Sequence, residues 1–413
     1  MSAPTVSVIV VSRGRAADLP LCLLGISQLD YPSFEVVLVA DKDGLAAAKE
    51  LSFFDELKTV TFEEANISKA RNLGIAEAAG EIAAFIDDDA VPEPSWLRYL
   101  IAGFEAPEVA ATGGFVRGRN GISFQWKARS VDALAQTEPL NLAEDQITVP
   151  TPKDGYATKT EGTNMAVRRD VLAQMGGFDP AYCFYLDETD LNMRLMVEGH
   201  RTAISPLAQV HHGYKASATR RGDRVPTDLK EIGASLAVYL RKHADTSEHA
   251  NAFHEARQEQ RRRLLRHMVN GALEPRDVKR LLRSFDNGVR AGLEREIAPL
   301  CEIPPARAGF KPLPSKFTGQ HAVKSGSWSK RRALKEEARL SVKSGTRTSL
   351  FIFSPTLRPH KVRFTRDGVW HQSGGLFGRS IRAGARFLLT TRKKRCEQEV
   401  KRLAKLRDFQ PKV

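Results

Sequence analysis

The chain has 413 residues, of which 42% are hydrophobic and 27% charged, and it carries a formal net charge of +14. This length allows two or three domains with a sizeable core, and no apolar stretch approaches the roughly 20 residues of a membrane-spanning helix. The four cysteines are scattered, without metal-type pairing or the density of a disulfide scaffold. The N-terminus has no basic region before its first apolar run, so we expect a cytoplasmic protein rather than a secreted one.

Charge is distributed unevenly along the chain. Residues 301–413 hold 27 Lys and Arg against 7 Asp and Glu, so the rest of the chain is slightly acidic. A strongly basic segment favours anionic surfaces such as a membrane headgroup layer, an anionic polymer or a nucleic acid. We expect peripheral contact with an anionic membrane on the inner face of the cell, and nucleic acid is the less favoured partner. The alternative is a small β-hairpin module that packs on the body of the protein.

The first 90 residues alternate apolar runs with helical patterns. We expect strands at 6–11, 34–39, 58–62 and 81–86, separated by helices that begin at residue 19 and cover about 44–57 and 67–80. This alternation predicts an α/β fold with a mostly parallel, doubly wound sheet. Ligands of such sheets bind at the carboxyl ends of the strands, where Asp41 and the run of Asp87, Asp88 and Asp89 stand.

The rest of the chain shows a change of pattern near residue 226. Strands and loops are expected over 108–170, helices within 170–200, and a last strand near 203–211. Charged helical patterns follow, then a linker rich in Pro and Gly at roughly 303–329, and finally a basic amphipathic helix. We therefore expect a body of residues 1–225, a helical extension of 226–302 and a basic C-terminal module of 303–413.

Three adjacent aspartates repel one another unless positive charge lies among them. An acidic loop is the simple interpretation, because Pro92 and Pro94 mark a turn just beyond. The Asp-x-Asp pair of Asp87 and Asp89 has a chemical use, however. Two carboxylates around Mg²⁺ or Mn²⁺ hold the diphosphate of a nucleotide and stabilise its charge as it departs.

Six segments occur in an order that is typical of one enzyme family: VSVIVVSRGR, FEVVLVAD, ISKARNLGIAEAAGEIAAFIDDD, EGTNMAVRRDVLAQMGGFD, LDETDLNMRLMVEGHR and AQVHHG. Over about residues 5–215 the chain resembles an inverting family 2 glycosyltransferase of the GT-A fold. The resemblance implies transfer of a sugar from a nucleotide-diphosphate donor to a hydroxyl of a glycan, lipid-linked glycan or protein, with Mn²⁺ or Mg²⁺ as cofactor. Polysaccharide biosynthesis for the cell envelope is the expected setting.

The resemblance also implies roles for individual positions. Contacts to the donor nucleotide or its sugar are implied for Ser12, Asp41, Arg71, Asn72, Asp87, Asp88 and Asn164, and metal contacts for Asp87, Asp89 and His212. His211 stays open as an alternative to His212, because the sequence does not decide between two adjacent histidines.

An inverting transferase also needs a carboxylate that takes the proton from the acceptor hydroxyl. The family commonly shows Glu-Asp-x-Asp-Leu, whereas residues 187–191 read DETDL, with the first two acids exchanged. Glu188 occupies the position of the base, and Asp187 is the alternative. Asp190 and Arg194 are four residues apart on a predicted helix. The alternative to a functional role for Asp190 is therefore a structural ion pair with Arg194.

Two other functions stay open. A sugar-nucleotide nucleotidyltransferase has a similar layout, but it needs a Gly-rich, basic phosphate loop after the first strand, and SRGRAADLP is a poor version of one. A non-catalytic protein that binds an anionic polymer or nucleic acid through its basic tail is the second alternative.

Overall fold

The computed structural model describes residues 3–317 and 321–409. The predicted linker includes residues 318–320 and the predicted C-terminal module includes 410–413, and these positions lie outside the described residues. The first strands are β1 (Val6–Ser12), β2 (Phe34–Ala40), β3 (Lys58–Thr61), β4 (Ile82–Asp87), β5 (Ala90–Pro92), β6 (Val109–Arg117), β7 (Phe124–Trp126) and β8 (Arg129–Val131). They are followed by β9 (Thr137–Pro139), β10 (Ala157–Lys159), β11 (Met165–Arg168), β12 (Arg201–His212), β13 (Ala322–Ser327), β14 (Thr348–Ser354), β15 (Lys361–Phe364) and β16 (Val369–Gly375).

Helices separate or follow these strands. They are α1 (Leu19–Ile26), α2 (Lys42–Lys49), α3 (Ile67–Glu77), α4 (Trp96–Ile101), α5 (Arg169–Gln174), α6 (Asp187–Val197), α7 (Lys230–His243), α8 (Thr246–Val269), α9 (Pro275–Glu294), α10 (Arg331–Lys343) and α11 (Arg392–Arg407). In the described part of the chain, no helix is both long enough and apolar enough to cross a membrane.

The largest sheet has the strand order β3-β2-β1-β4-β11-β6-β12-β5, with β7 added beside β6. Strands β1, β2, β3 and β4 are parallel to one another, and β12 is parallel to β6. Strand β11 runs antiparallel between β4 and β6, so the sheet is mixed but mostly parallel. Helices cover both faces, and this Rossmann-like α/β arrangement confirms the predicted fold class.

Strand β1 forms where the sequence suggested because its side chains are apolar toward both faces of the sheet. Val8 and Val10 pack in one hydrophobic cluster with α1, and Ile9 packs in the other with α3. Gly74 of α3 lies so close to β1 that a Cβ there would stand 2.5 Å from Cγ2 of Ile9. A glycine therefore permits the close approach of this helix to the sheet.

The strand predictions near the N-terminus hold to within a residue or two, but α2 is shorter than expected. It ends at Lys49, and a separate 3₁₀ turn covers Phe54–Glu56 before β3 begins. Asp41 caps the start of α2, where its side chain accepts a hydrogen bond from the backbone N–H of Gly44. The final strand of the sheet, β12, is longer than the expected 203–211.

Helices α7, α8 and α9 pack together and cover the outer side of α6. Their shared core includes Leu236 and Phe285 together with Leu186, next to the start of α6. Lys242 of α7 lies 2.7 Å from the buried carboxylate of Asp190, which also binds Arg194 at 2.8 Å. Asp190 therefore holds α6 in place, and the ion pair with Arg194 is the one that their sequence spacing indicated.

Strands β8 to β10 form a small three-stranded sheet. Strands β13 to β16 form a four-stranded sheet, called the second sheet below, that packs against the first part of the chain. Leu403 and Leu406, on the apolar face of α11, pack against Phe351 and Phe353 of this sheet. That face of the terminal helix is therefore buried against the second sheet and is not free to enter a lipid layer. Five basic side chains of α11 are exposed on its other faces, whereas those of Arg395 and Arg407 are buried.

A buried ion pair joins this second sheet to the rest of the molecule. Arg407, at the end of α11, donates hydrogen bonds from Nε and Nη2 to the two carboxylate oxygens of Glu93, at 2.8 and 3.0 Å. Both side chains are fully buried, and the guanidinium also lies over the ring of Trp370. Glu93 follows β5 directly, so the C-terminal segment is fastened close to the aspartate run.

Candidate active site

The aspartate run lies in the turn between β4 and β5. Because β1 pairs in parallel with β2 and β4, these strands end at the same edge of the sheet, where Ser12 and Asp87 lie. Asp89 is fixed by the chain that follows β12: its backbone carbonyl accepts from the N–H of Gly213 at 2.7 Å, and its Oδ2 accepts from the N–H of Lys215 at 2.8 Å. The turn is thus held from two sides.

Asp87, Asp89 and His212 form a group with metal-ligand geometry. Each offers one ligand atom, and these atoms lie within 4.8 Å of one another. Nε2 of His212 is 3.1 Å from Oδ1 of Asp89 and 3.7 Å from Oδ2 of Asp87. The structure thus brings His212, not His211, to the aspartates. Oδ1 of Asp89 is buried and lacks a well-formed hydrogen bond among the described residues, and two carboxylates with an imidazole suit Mn²⁺, so the donor set fits a divalent cation.

The charges of these three side chains shift the pKa values of Asp89 and His212. Burial raises the pKa of Asp89, but the adjacent imidazole of His212, together with Arg15, outweighs it and holds the pKa well below its ordinary value. Burial lowers the pKa of His212, and the carboxylates of Asp89 and Asp87 reverse this to a raised pKa. The histidine and the two aspartates therefore stabilise one another's charged forms.

Arg15 is a site residue that the sequence interpretation did not single out. Its Nη1 lies 2.8 Å from Oδ1 of Asp88 and 3.3 Å from Oδ1 of Asp89. Ser12 donates from Oγ to the other oxygen of Asp88 at 2.7 Å. Burial raises the pKa of Asp88 to about 7, against the charge of Arg15. The only sequence signal for Arg15 was its place in the basic turn after β1, three residues beyond Ser12.

Arg71 connects the aspartate run to the start of α6. It is buried, donates from Nη1 to Oδ2 of Asp187, and places Nη2 3.7 Å from Oδ1 of Asp87. Its guanidinium lies 5.0 Å from the centre of the Phe178 ring. One cation therefore bridges the two groups of acids that the sequence implied for donor binding and for the catalytic base.

The two candidate bases stand in different surroundings at the first turn of α6. Tyr185 and Leu186, directly before them, both have left-handed backbone angles, with φ of 76° and 64°. Such angles cost about 1–3 kcal/mol each and concentrate at functional sites. The side chain of Asp187 is only 4% exposed, whereas that of Glu188 is 15% exposed.

Glu188 is paired with Lys159, a residue that carried no sequence signal. Nζ of Lys159 lies 3.0 Å from Oε1 of Glu188 and 2.9 Å from Oε1 of Glu161. Burial raises the pKa of Glu188, but Lys159 and Arg71 outweigh it, and the net shift is downward. Burial dominates for Asp187, whose pKa is raised despite its contact with Arg71. Glu188 is therefore the acid held as an anion.

Several residues expected at the donor are engaged elsewhere. Asp41 accepts from the N–H of Gly14 at 2.6 Å and from that of Gly44, so both of its oxygens serve backbone groups. The amide of Asn72 donates to and accepts from the backbone of Phe178. These two side chains therefore fix loops beside the cleft, and their contacts to a donor stay predictions.

Asn164 is a third residue whose side chain binds other parts of the protein. It is fully buried, accepts from Nε1 of Trp96 at 2.7 Å, and donates to the carbonyls of Phe115 and Ala208. The side chain therefore supports the sheet interior rather than lining the cleft. His211 likewise turns away from the aspartates, because its Nε2 lies 2.7 Å from Oε1 of Glu93.

Two cavities meet at the aspartate run. One, of about 640 Å³, is lined by Ser12, Asp87 and Asp88 and reaches α3 and Phe184. The other, of about 990 Å³, is lined by Asp89 and His212 and extends to the second sheet. Gly14 and Arg15 line both cavities. The arrangement therefore places a donor set that fits a divalent cation between two cavities of small-molecule size.

Comparison with known proteins places this geometry in context. Residues 3–225 match the family described as "Glycosyltransferase like family 2". The O-antigen biosynthesis protein RfbC of Myxococcus xanthus is 28% identical over 235 residues, which cover 54% of this chain and 18% of that protein. The glucosyl-dolichyl phosphate glucuronosyltransferase of Haloferax volcanii is 28% identical over 160 residues, 36% of this chain and 47% of the relative. The chain thus spans less than half the length of these curated relatives.

Solved structures were compared as well. The mannosyltransferase PcManGT from Pyrobaculum calidifontis, in complex with GDP-Man and Mn²⁺, is 18% identical with a TM-score of 0.42, over 72% of this chain and 89% of that one. S. aureus TarS 1-349, in complex with UDP-GlcNAc, is 18% identical with a TM-score of 0.44, over 69% of this chain and 81% of that one.

Proposed function

Because the chain belongs to the glycosyltransferase family 2-like proteins, we propose that it transfers a sugar from a nucleotide-diphosphate donor to a hydroxyl group. The transfer depends on a divalent cation and inverts the anomeric centre. The observation that carries the proposal is the group of Asp87, Asp89 and His212, which Arg71 connects to the acids of α6. A site of this kind unites a place for the donor diphosphate with a base for the acceptor.

Asp87, Asp89 and His212 would hold Mn²⁺ or Mg²⁺. A cation bound there supplies positive charge for the departing diphosphate. Arg15 already touches Asp88 and Asp89 and lines both cavities, so its guanidinium is placed to bind a donor phosphate oxygen. We assign the cavity of about 640 Å³ beside Ser12 and Asp88 to the nucleoside, because its size suits a nucleoside and it opens at the carboxyl ends of β1 and β4.

Glu188 is the base of this proposal. A base must be deprotonated at the working pH and within reach of the acceptor hydroxyl. Glu188 meets both conditions better than Asp187, because Lys159 keeps it anionic and its side chain is the more exposed of the two. Asp187 then holds Arg71 in position between the acids. The acceptor is the hydroxyl of a glycan, a lipid-linked glycan or a protein.

Peripheral contact with the inner face of the cell membrane belongs to the same proposal. Its support is the charge of residues 301–413, where basic residues outnumber acidic ones by 27 to 7. The contact would rest on exposed basic side chains, since the apolar face of α11 packs inside the protein.

Donor turnover tests the proposal. Purified protein would be incubated with UDP-, GDP- and dTDP-sugars in Mn²⁺, Mg²⁺ or EDTA, and release of the nucleoside diphosphate would be measured. We expect one donor to be turned over with a metal and not with EDTA. Turnover that is unaffected by EDTA would refute metal dependence, and absence of both turnover and nucleotide binding with every donor would refute the transferase assignment.

A further inference from the structure

Four parts of the chain meet at a polar groove of about 640 Å³ that the proposed reaction does not yet use. β7 and the loop after β12 form two sides, α8 forms another, and the loop between β16 and α11 completes it. We call this feature the arginine groove. Its lining includes Trp126, Tyr214, Arg224, Arg263, His267 and Arg382.

The charge of the arginine groove is not balanced. Among the described residues, no carboxylate lines it. Arg263 makes one long hydrogen bond, 3.3 Å, to the amide oxygen of Gln260, and Arg224 lies over the ring of Tyr214. Asp223, adjacent to Arg224 in sequence, is paired with Arg221 instead. Converging guanidinium groups without acids favour an anionic ligand, and their planar donors suit phosphate in particular.

The groove borders both halves of the candidate active site. Trp126 lies 5.8 Å from Nζ of Lys159, the partner of Glu188. Tyr214 packs edge-on against His212, with ring centres 5.5 Å apart. A ligand seated between these aromatic rings therefore lies next to the proposed base and next to the proposed cation site. This is the place where the acceptor end of a transfer reaction belongs.

The loop that carries Arg382 also exposes apolar side chains. Ile381 is 49% exposed, Phe387 53% and Leu389 81%, and all three lie within ten residues of one another. Exposed apolar groups interleaved with arginines are typical of segments that meet a lipid surface, where the charges face phosphate headgroups. The size of the groove suits the head of a small acceptor rather than a nucleic-acid duplex.

We propose that the arginine groove binds the phosphate of a lipid-linked acceptor, with the apolar side chains of the 381–389 loop against its lipid. The inference rests on the proposed glycosyl transfer and names the class of its acceptor. Arg263 and Arg382 hold the phosphate, and the sugar to be extended lies beside Trp126 and Tyr214 in the same groove. The hydroxyl that receives the new sugar is thereby directed toward Glu188.

Binding of the full-length protein to vesicles tests the inference. The probes are phosphatidylcholine vesicles with and without a long-chain isoprenyl phosphate, and soluble glucose 1-phosphate as the lipid-free source of the same group. The double variant R263Q/R382Q is compared with R262Q/R386Q, which removes two exposed arginines from the same helix and the same loop outside the groove. Thermal unfolding verifies that both variants fold, and donor hydrolysis without acceptor is measured on every preparation.

We expect wild-type protein and R262Q/R386Q to bind isoprenyl phosphate vesicles, and R263Q/R382Q to lose about tenfold or more in affinity. Equal loss in both variants, or no preference for vesicles with isoprenyl phosphate, would overturn the inference. Equally strong binding of glucose 1-phosphate would overturn the lipid-linked source. Intact donor hydrolysis in these cases leaves the proposed function standing, whereas absent hydrolysis in the wild type refutes the function itself.

Discussion

Arg71 and Asp187 form a buried hydrogen-bonded ion pair between residues 116 positions apart, at the junction of the two acidic groups of the site. The same guanidinium faces Asp87 on its other side. The proposed donor and acceptor halves are thus held by one side chain, so changes at Arg71 are expected to affect the position of both.

Replacing Arg71 by Met leaves the carboxylate of Asp187 buried without its cation. We expect the free energy of unfolding to fall by about 3–5 kcal/mol, the usual cost of removing one partner from a buried ion pair. Chemical denaturation measures this loss. The double variant R71M/D187N removes both charges and is expected to be more stable than the sum of the two single variants predicts. Additive losses would show that the pair is not coupled.

Glu188 and Glu161 share the same lysine, which provides a matched control for the base. We expect Glu188→Gln to lower kcat of sugar transfer by about 10²–10⁴-fold, the range of a general base, without weakening nucleotide binding. Glu161→Gln removes the other carboxylate that contacts Lys159, and we expect this variant to keep most of the activity. A large loss in E161Q, or transfer that survives E188Q but not Asp187→Asn, would assign the base to another group.

The buried pair of Arg407 and Glu93 fastens the C-terminal sheet to the body. Arg407→Met leaves Glu93 buried and unpaired, and we expect a loss of about 3–5 kcal/mol in the free energy of unfolding. Lys405→Met is the control, because Lys405 lies on the same helix with its side chain 63% exposed and an exposed partner, Asp145. If both variants unfold at the same denaturant concentration, the buried pair does not hold the two parts together.

Buried histidines make the C-terminal part sensitive to acid. Burial lowers the pKa of His321, and burial together with Lys335 and Arg363 lowers the pKa of His371 to about 4. Between this value and the ordinary pKa of about 6.5, the unfolded state binds protons that the folded state does not. Stability is therefore complete above about pH 6.5 and falls as the pH decreases toward 4.

Thermal unfolding from pH 7 to pH 4.5 measures this effect. We expect the Tm to drop with acidification and the drop to be smaller in His371→Asn. His254→Asn, an exposed position on α8, serves as control and is expected to behave like the wild type. A Tm that rises with acidification, or an identical drop in both variants, would contradict the role given to His371.

The sheet and the acidic groups were predictable because their signals are local. The apolar run of β1 and the aspartates after β4 are contiguous in sequence, and parallel pairing brings strand ends together. Side-chain partners were not predictable in the same way. Asp41 stands at the expected place, yet its oxygens bind Gly14 and Gly44, which strand patterns do not reveal.

Long-range ion pairs were the second gap. Lys159 meets Glu188 across 29 positions and Arg407 meets Glu93 across 314, and neither pair leaves a periodic trace in the sequence. The terminal helix shows the same difficulty. Its amphipathic pattern was recognisable, but a pattern does not say whether the apolar face meets lipid or, as here, Phe351 and Phe353.

Asp87, Asp89 and His212 are proposed to hold the cation that binds the donor diphosphate. Calorimetric titration with the nucleoside diphosphate that donor turnover identifies, with and without Mn²⁺, measures whether nucleotide binding needs this cation. The comparison is between wild type, Asp89→Asn and Glu64→Gln, the last of which removes an acid from the wall of the nucleoside cavity without touching the cation site.

We predict that the wild type and E64Q bind the nucleotide only with Mn²⁺, and that D89N loses more than about tenfold in affinity, since even indirect partners of metal ligands carry that cost. Equal affinity with and without Mn²⁺, or unchanged Mn²⁺-dependent binding by D89N, would show that these residues do not hold a cation needed for nucleotide binding.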